Sequence, residues 1–162
     1  MNIRRVKDDD IMRITEIYNW YISNTTITFE TETISPLEMK KRVQEKVAKH
    51  DWLVGEFNQE IVGYAYYGSF RSRPAYNHTV ELTIYLAQES IGKGFGKSLY
   101  DELIKSAEKH GFRELIGVIA LPNLKSTMLH QNLGFEEIGV LKKVGYKFDK
   151  YIDVAIWQKS IL

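Results

Sequence analysis

The residues best able to do chemistry lie between positions 80 and 100. Val80-Glu81-Leu82-Thr83-Ile84-Tyr85-Leu86 alternates in the period of a strand. It leads through Ile91-Gly92-Lys93-Gly94-Phe95-Gly96-Lys97 into a stretch with Leu99, Tyr100, Leu103, Ile104 and Ala107 at helical spacing. Glycines spaced by two let a phosphate approach the backbone without meeting a Cβ. The first N–H groups of a helix have no internal partner, and the helix dipole adds partial positive charge there. Strand, glycine loop and helix together read as a pyrophosphate cradle. Glu81 shares one face of the strand with Thr83 and Tyr85, while Val80, Leu82, Ile84 and Leu86 share the other. A carboxylate inside a strand is disfavoured by propensity, so it either faces solvent or serves as a base. That the same strand delivers the cradle favours the base.

Two common phosphate binders do not fit. A dinucleotide fold needs G-x-G-x-x-G, usually in the first βαβ unit, and the glycines here are mid-chain and spaced by two. A P-loop needs G-x-x-x-x-G-K-[ST]; Gly96-Lys97-Ser98 imitates its tail, but Ile91 stands where the leading glycine belongs. Other groups carry two readings each. His130, in Leu129-His130-Gln131-Asn132, is either a half-buried histidine on a short helix or a proton donor or second base. Arg71 and Arg73 precede the Glu81 strand; they are solvated loop residues, or one of them forks onto a carboxylate or phosphinate. Phe29, Tyr76 and Tyr146 either wall a pocket or simply pack. Asn123 has the place of a helix N-cap.

The elements that must position these groups fit in 162 residues, the length of one domain. Such a chain buries roughly 68–70% of its unfolded surface. Lys plus Arg number 22 and Asp plus Glu 21, a net charge of +1, which lacks the basic surplus a nucleic-acid binder needs. There is no cysteine, so disulfides, thiolate metal sites and a cysteine nucleophile are excluded, and no metal is implied. Met1 to Lys7 has no apolar signal core and no apolar run is long enough to span a bilayer, so a cytoplasmic protein without a membrane partner is expected.

Along the chain, Ile3 to Val6 reads as a strand, and Asp8, Asp9 and Asp10 as N-cap and first-turn acids of a helix carrying Ile11, Ile14, Ile17, Tyr18, Tyr21 and Ile22. Ser35-Pro36-Leu37-Glu38 reads as a capping box opening a second helix that reaches about His50. Strands follow over Trp52–Phe57, Ile61–Phe70 and Thr79–Leu86, the first two joined by a turn at Asn58-Gln59-Glu60. The third helix runs from about Gly94 to His110 and ends at Gly111. A buried strand over Leu115–Ala120, a helix around Ser126–Leu133 and two strands around Gly145-Tyr146-Lys147 complete the chain. This order suits an α/β (α+β) fold, one mixed sheet flanked by helices.

The strand–glycine–helix unit resembles motif A of the GNAT superfamily of N-acetyltransferases, in which the cradle holds the pyrophosphate of acetyl-CoA. Ile91 stands where that family usually has Arg or Gln, which leaves the backbone donors in place. Further strings resemble the phosphinothricin and methionine sulfoximine acetyltransferases: Ile17-Tyr18-Asn19, Phe29-Glu30-Thr31-Glu32, Phe70-Arg71-Ser72-Arg73-Pro74-Ala75-Tyr76-Asn77-His78, Leu121-Pro122-Asn123, Leu129-His130, and Gly145-Tyr146-Lys147 followed by Asp153 and Trp157. The resemblance spans almost the whole chain. It implies a mostly antiparallel central sheet with helices on both faces, and a homodimer. It implies direct transfer of acetyl from acetyl-CoA to the α-amino group of a small amino-acid analogue. Glu81 and His130 would be the catalytic pair. Ile84, Tyr85, Leu86, Gly92, Lys93, Gly94, Phe95, Gly96, Lys97, Asn123 and Asn132 would meet acetyl-CoA, and Phe29, Arg71, Ser72, Arg73, Tyr76 and Tyr146 the acceptor. Acceptors of other kinds, such as a protein N-terminus or a polyamine, and a non-catalytic acyl-CoA-binding module are the alternatives.

Overall fold

The computed structural model describes residues 1–161. Seven strands form one sheet: β1 (Asn2–Arg5), β2 (Trp52–Phe57), β3 (Glu60–Ser69), β4 (Thr79–Leu86), β5 (Glu114–Ala120), β6 (Glu136–Lys147) and β7 (Lys150–Ser160). Their order is β1-β2-β3-β4-β5-β7-β6, and every neighbouring pair is antiparallel except β4 with β5. Four α-helices cover it: α1 (Ile11–Asn24), α2 (Pro36–Val47), α3 (Phe95–Lys109) and α4 (Leu124–Asn132). α1 and α2 lie on one face, where Ile14, Ile17, Tyr21, Met39 and Val43 meet Trp52, Val54, Tyr64 and Tyr85. α3 lies on the other, where Leu99, Tyr100 and Leu103 meet Leu53, Ala65, Tyr67, Val80 and Leu82. The expected mixed, mostly antiparallel sheet with helices on both faces is the architecture found. β3 sits between both layers and is almost fully buried, which its run of Val, Ala, Tyr and Gly accommodates.

Four local features differ from the sequence expectation. Asp8–Asp10 form a separate 3₁₀ turn, and the α-helix starts at Ile11. The reason is Asp10: its buried carboxylate accepts two bonds from Arg4 at 2.7 and 2.9 Å and one from the Lys7 N–H at 2.7 Å, which ties the turn to β1. The capping box at Ser35 is half made. Ser35 Oγ accepts from the Glu38 N–H at 3.1 Å, but the Glu38 carboxylate accepts from Arg42 at 2.8 Å instead of reaching back. The last hairpin turns at Phe148-Asp149, both with positive φ, so Gly145–Lys147 lie at the end of β6 rather than at the turn. The expected β2–β3 turn is present but one residue shorter: Asn58 and Gln59 turn, both at positive φ as a two-residue hairpin requires, and Glu60 already belongs to β3, paired with Phe57.

Candidate active site

The site is built where β4 and β5 part. Their register runs from Thr79↔Glu114 to Leu82↔Gly117 and ends there. Beyond that point β5 continues beside β7 and β4 beside β3. The Ala87 N–H donates to Val62 O at 2.9 Å. By the two-residue alternation of an antiparallel pair, Tyr85 and Thr83 then bond toward β3, and Ile84 and Leu86 direct their N–H and C=O groups into the gap. Tyr21 Oη donates to the Leu86 carbonyl at 2.8 Å, closing one of these acceptors. An open ladder edge inside a sheet is a ready partner for an amide-containing chain.

The glycine turn stands at the end of this edge. Gly92 and Gly94 have φ of +85° and +82°, a region that costs an L side chain about 1–2 kcal/mol. Gly94 is the N-cap of α3 and has no side chain to cap it, so the first N–H groups of the helix stay available. Gly96 serves a different purpose: a Cβ there would lie 3.2 Å from Leu86 Cδ1, so its absence lets α3 sit close on β4. Phe95 packs on Phe57 with ring centroids 5.1 Å apart, and Lys97 pairs with Asp101 at 2.7 Å, while Lys93 is exposed. Loop geometry and strand edge fit the pyrophosphate and amide-bearing arm of a CoA.

A cavity of about 220 Å³ occupies the gap, lined by Phe29, Glu81, Ile84, Tyr85, Tyr100, Asn123, Ser126 and His130 among others. Glu81 accepts no hydrogen bond among the described residues. Burial pushes its carboxyl above the usual carboxylate range, and the Lys46 ammonium partly offsets this. His130 is 3% exposed. Its Nδ1–H donates to the Ser126 carbonyl at 2.8 Å, so its Nε2 is the acceptor, facing Tyr100 Oη at 3.1 Å. Burial lowers the His130 pKa and raises that of Tyr100, to which the nearby Glu81 charge also contributes. The imidazole is therefore neutral at pH 7, with both nitrogens engaged. It is more deeply buried than the half-buried histidine that the sequence suggested as one of its two readings. Asn123 caps α4, its Oδ1 accepting from the Ser126 N–H at 3.1 Å.

The structure thus gathers Phe29, Glu81, Ile84, Tyr85, Asn123 and His130 around one cavity, with Leu86 and the glycine turn continuing its edge. It does not bring the rest to that wall. Arg71 stacks on Phe70 and Tyr76, with its guanidinium 5.0 and 5.5 Å from the ring centroids, on an exposed loop with Ser72 and Arg73. Tyr146 is exposed, bonded to Asp149 at 3.3 Å and packed on Tyr151. Asn132 ends α4 on the surface. Sequence reasoning missed Tyr100, which reads as one more apolar-face residue of α3, and Lys46, which reads as one of several α2 lysines.

A sheet split beside a glycine turn and a helix N-terminus suits an acyl-CoA donor. The chain belongs to the GNAT acetyltransferases, whose acyl donor is acetyl-CoA: the acetyltransferase (GNAT) domain matches residues 3–156. It is 36% identical over 160 residues to phosphinothricin N-acetyltransferase of Streptomyces viridochromogenes, covering 99% of this chain and 87% of that one. It is 31% identical over 162 residues to the L-methionine sulfoximine/L-methionine sulfone acetyltransferase of Salmonella typhimurium, covering 99% and 95%. The solved phosphinothricin acetyltransferase from Sinorhizobium meliloti in complex with AcCoA superposes with a TM-score of 0.96 at 36% identity, covering 99% and 88%. None of the described helices is long and apolar enough to cross a membrane.

Proposed function

We propose that this enzyme moves acetyl from acetyl-CoA directly to the α-amino group of a small amino acid or amino-acid analogue of the phosphinothricin or methionine sulfoximine type. The observation that carries this reading is Glu81: a carboxylate with raised pKa, without a protein hydrogen bond, lining the cavity beside the open edge of β4. An ammonium must lose a proton before nitrogen can attack the thioester carbon, and a carboxylate with raised pKa is a stronger base. Glu81 takes that proton. The N–H groups of Ile84 and Leu86 hold the pantetheine arm and polarise the thioester carbonyl. The N–H groups of Gly92 to Lys97 hold the pyrophosphate. Asn123 and Asn132, with the side chains of Lys93, Phe95 and Tyr85, complete the acetyl-CoA contacts. As nitrogen bonds to the carbonyl carbon, the C–S bond breaks, and the second proton of the nitrogen passes to the departing thiolate, which leaves as the CoA thiol. His130 Nε2 accepts the Tyr100 O–H, so the pair fixes the Tyr100 ring at the cavity wall and the hydroxyl keeps only its oxygen lone pairs for a further partner. Phe29 walls the acceptor side. Arg71, held by its two rings, with Ser72, Arg73, Tyr76 and Tyr146, forms a rim for the distal end of the acceptor.

The whole chain acts as a single acetyltransferase domain, and two chains pair through β6. That edge strand exposes Ile138, Leu141, Val144 and Tyr146, at 50–59% relative exposure, and an apolar open edge calls for a cover. The test of function is thiol release from acetyl-CoA against phosphinothricin, methionine sulfoximine, methionine sulfone, common amino acids, spermidine and a short peptide. Saturable release with the first three supports the proposal. Release only with spermidine or the peptide overturns the acceptor class.

A further inference from the structure

Lys46 occupies a position that packing alone does not require. It follows Met39 and Val43 at helical spacing, so it shares the face that α2 turns to the sheet. The other cations near that face are satisfied: Lys40 pairs with Asp8, and Arg42 with both Glu30 and Glu38. Lys46 forms no ion pair among the described residues. Its stem lies along Gly68, where a Cβ would come within 3.3 Å of Cε and 3.4 Å of Cδ and would collide with Nζ. Gly68 thus gives the ammonium a seat against the backbone.

That seat is beside the base. Gly68 and Glu81 are register partners on β3 and β4, and directly opposed residues project to the same face with Cβ atoms about 4.5–5.5 Å apart. The ammonium also stands 5.6 Å from the Tyr66 ring centroid. It is close to Glu81 without closing an ion pair onto it, so it keeps its donors for a third group.

We propose that Lys46 anchors the α-carboxylate of the acceptor and thereby selects α-amino acids over simple amines. The inference rests on the acetylation reading above. In an α-amino acid the amine and the carboxylate share one carbon. When the amine reaches Glu81, the carboxylate must lie within the reach of a cation adjacent to Glu81. Arg71 and Arg73 stand on the exposed loop before β4 and suit a second acid or polar oxygen at the far end of the acceptor. An ammonium makes three hydrogen bonds from one point and does not require the fork geometry of an arginine. The carboxylate would also neutralise the charge that Lys46 otherwise leaves unpaired.

The test compares methionine sulfone with 3-(methylsulfonyl)propylamine, the same skeleton without the carboxylate. Lys46→Met keeps the apolar stem over Gly68 and removes the charge. The expected result is at least a tenfold fall in the ratio of kcat/KM for the amino acid to that for the amine, expressed mainly in the KM of the amino acid, with partial recovery in Lys46→Arg. Calorimetric binding of methionine sulfone in the presence of CoA should weaken by a similar factor. A Lys46→Met enzyme that loses both acceptors equally, or whose change is confined to kcat, overturns the anchor. A wild type that binds methionine sulfone through Lys46 but acetylates no amine keeps the anchor and sinks the acetylation reading instead.

Discussion

The His130 imidazole occupies the space that a side chain on Gly117 would need: a Cβ there would lie 2.5 Å from Nε2 and 2.7 Å from Cδ2. Gly117 is also the last residue of β5 in register with β4. The strand thus gives up its side chain where the sheet splits, and the ring of α4 fills the place, with Tyr100, Phe135 and Trp157 around it. Gly117→Ala should push the ring off its seat. Overpacking of this kind costs roughly 1–3 kcal/mol, or about 2–4 °C in Tm for each kcal/mol in a chain of this size. The Tyr100–His130 bond should be lost with it. Scanning calorimetry and the rate of acetylation check this together. An alanine variant as stable and active as the parent would show that the ring has room to yield.

Glu81 sets stability against activity. Its folded-state pKa is raised, mainly by burial, so the folded protein binds this proton more tightly than the unfolded chain. The folded state is then penalised as pH rises through the folded pKa, and the penalty is absent below the unfolded value. Glu81→Gln should therefore raise Tm at pH 7–8, with the gain fading toward pH 4. The same variant should lose at least about a hundredfold in kcat/KM at neutral pH, within the usual range for a general base. It should recover in part at higher pH, where free amine is abundant. The acid limb of the parent's pH–rate profile should lie above the ordinary carboxylate range. Equal rates and an unchanged profile would remove Glu81 from the base role.

How much of this was legible in the chain depends on whether the cause is local. The phase of β4 is local, since a period of two places Glu81, Thr83 and Tyr85 on one face whatever lies above it. The glycine turn is local too, because positive φ at Gly92 and Gly94 is a property of the residue type. The split between β4 and β5 is not local. Nothing in Thr83-Ile84-Tyr85-Leu86 says that its outer edge lacks a partner, because that depends on where β5 and β7 pair. For the same reason Tyr100 reads as core and Lys46 as surface until α3 and α2 are laid on the sheet. The burial of His130 depends on Gly117, thirteen residues away in sequence, and no local pattern links them. Arg71 was legible as a fork for an acid group, but its stacking on Phe70 and Tyr76 holds it outside the cavity wall.

The glycine turn separates binding from stability. A Cβ at Gly94 would meet nothing within 4 Å, so its substitution carries only the backbone strain of φ +82°. Gly94→Ala should cost about 1–2 kcal/mol of stability. If the residue relaxes by changing φ, the N–H groups that open α3 turn away from the pyrophosphate. The KM for acetyl-CoA should then rise, roughly tenfold, while the KM for the amine acceptor moves little. Dephospho-CoA and CoA competition curves would report the same change without turnover. An acetyl-CoA KM unaffected by Gly94→Ala, in a variant with the expected loss of Tm, would mean that the cradle does not depend on this turn.

The outer edge of the sheet supplies the last prediction. β6 is bent by two register shifts, one of them between Leu141 and Gly145. Asp153 fixes that bulge: its carboxylate accepts from the Lys143 N–H at 2.8 Å and from Lys142 Nζ at 3.0 Å, with Lys143 at φ +56°. The bond to the Lys143 N–H is the main cause that holds the Asp153 carboxyl below its ordinary range. A bulge commonly protects an edge strand from pairing, yet this one leaves Ile138, Leu141 and Val144 outward and half or more exposed. Their apolar surface favours a partner that packs side chains over one that only extends the ladder. Sedimentation should give a particle of twice the 18.9 kDa chain. Ile138→Lys with Val144→Lys should shift it to the monomer mass, because two charges per copy would be buried at the contact. Asp153→Asn should weaken association less, since it loosens the bulge but keeps the apolar surface. A parent chain that sediments as a monomer at micromolar concentration would leave β6 as an ordinary exposed edge.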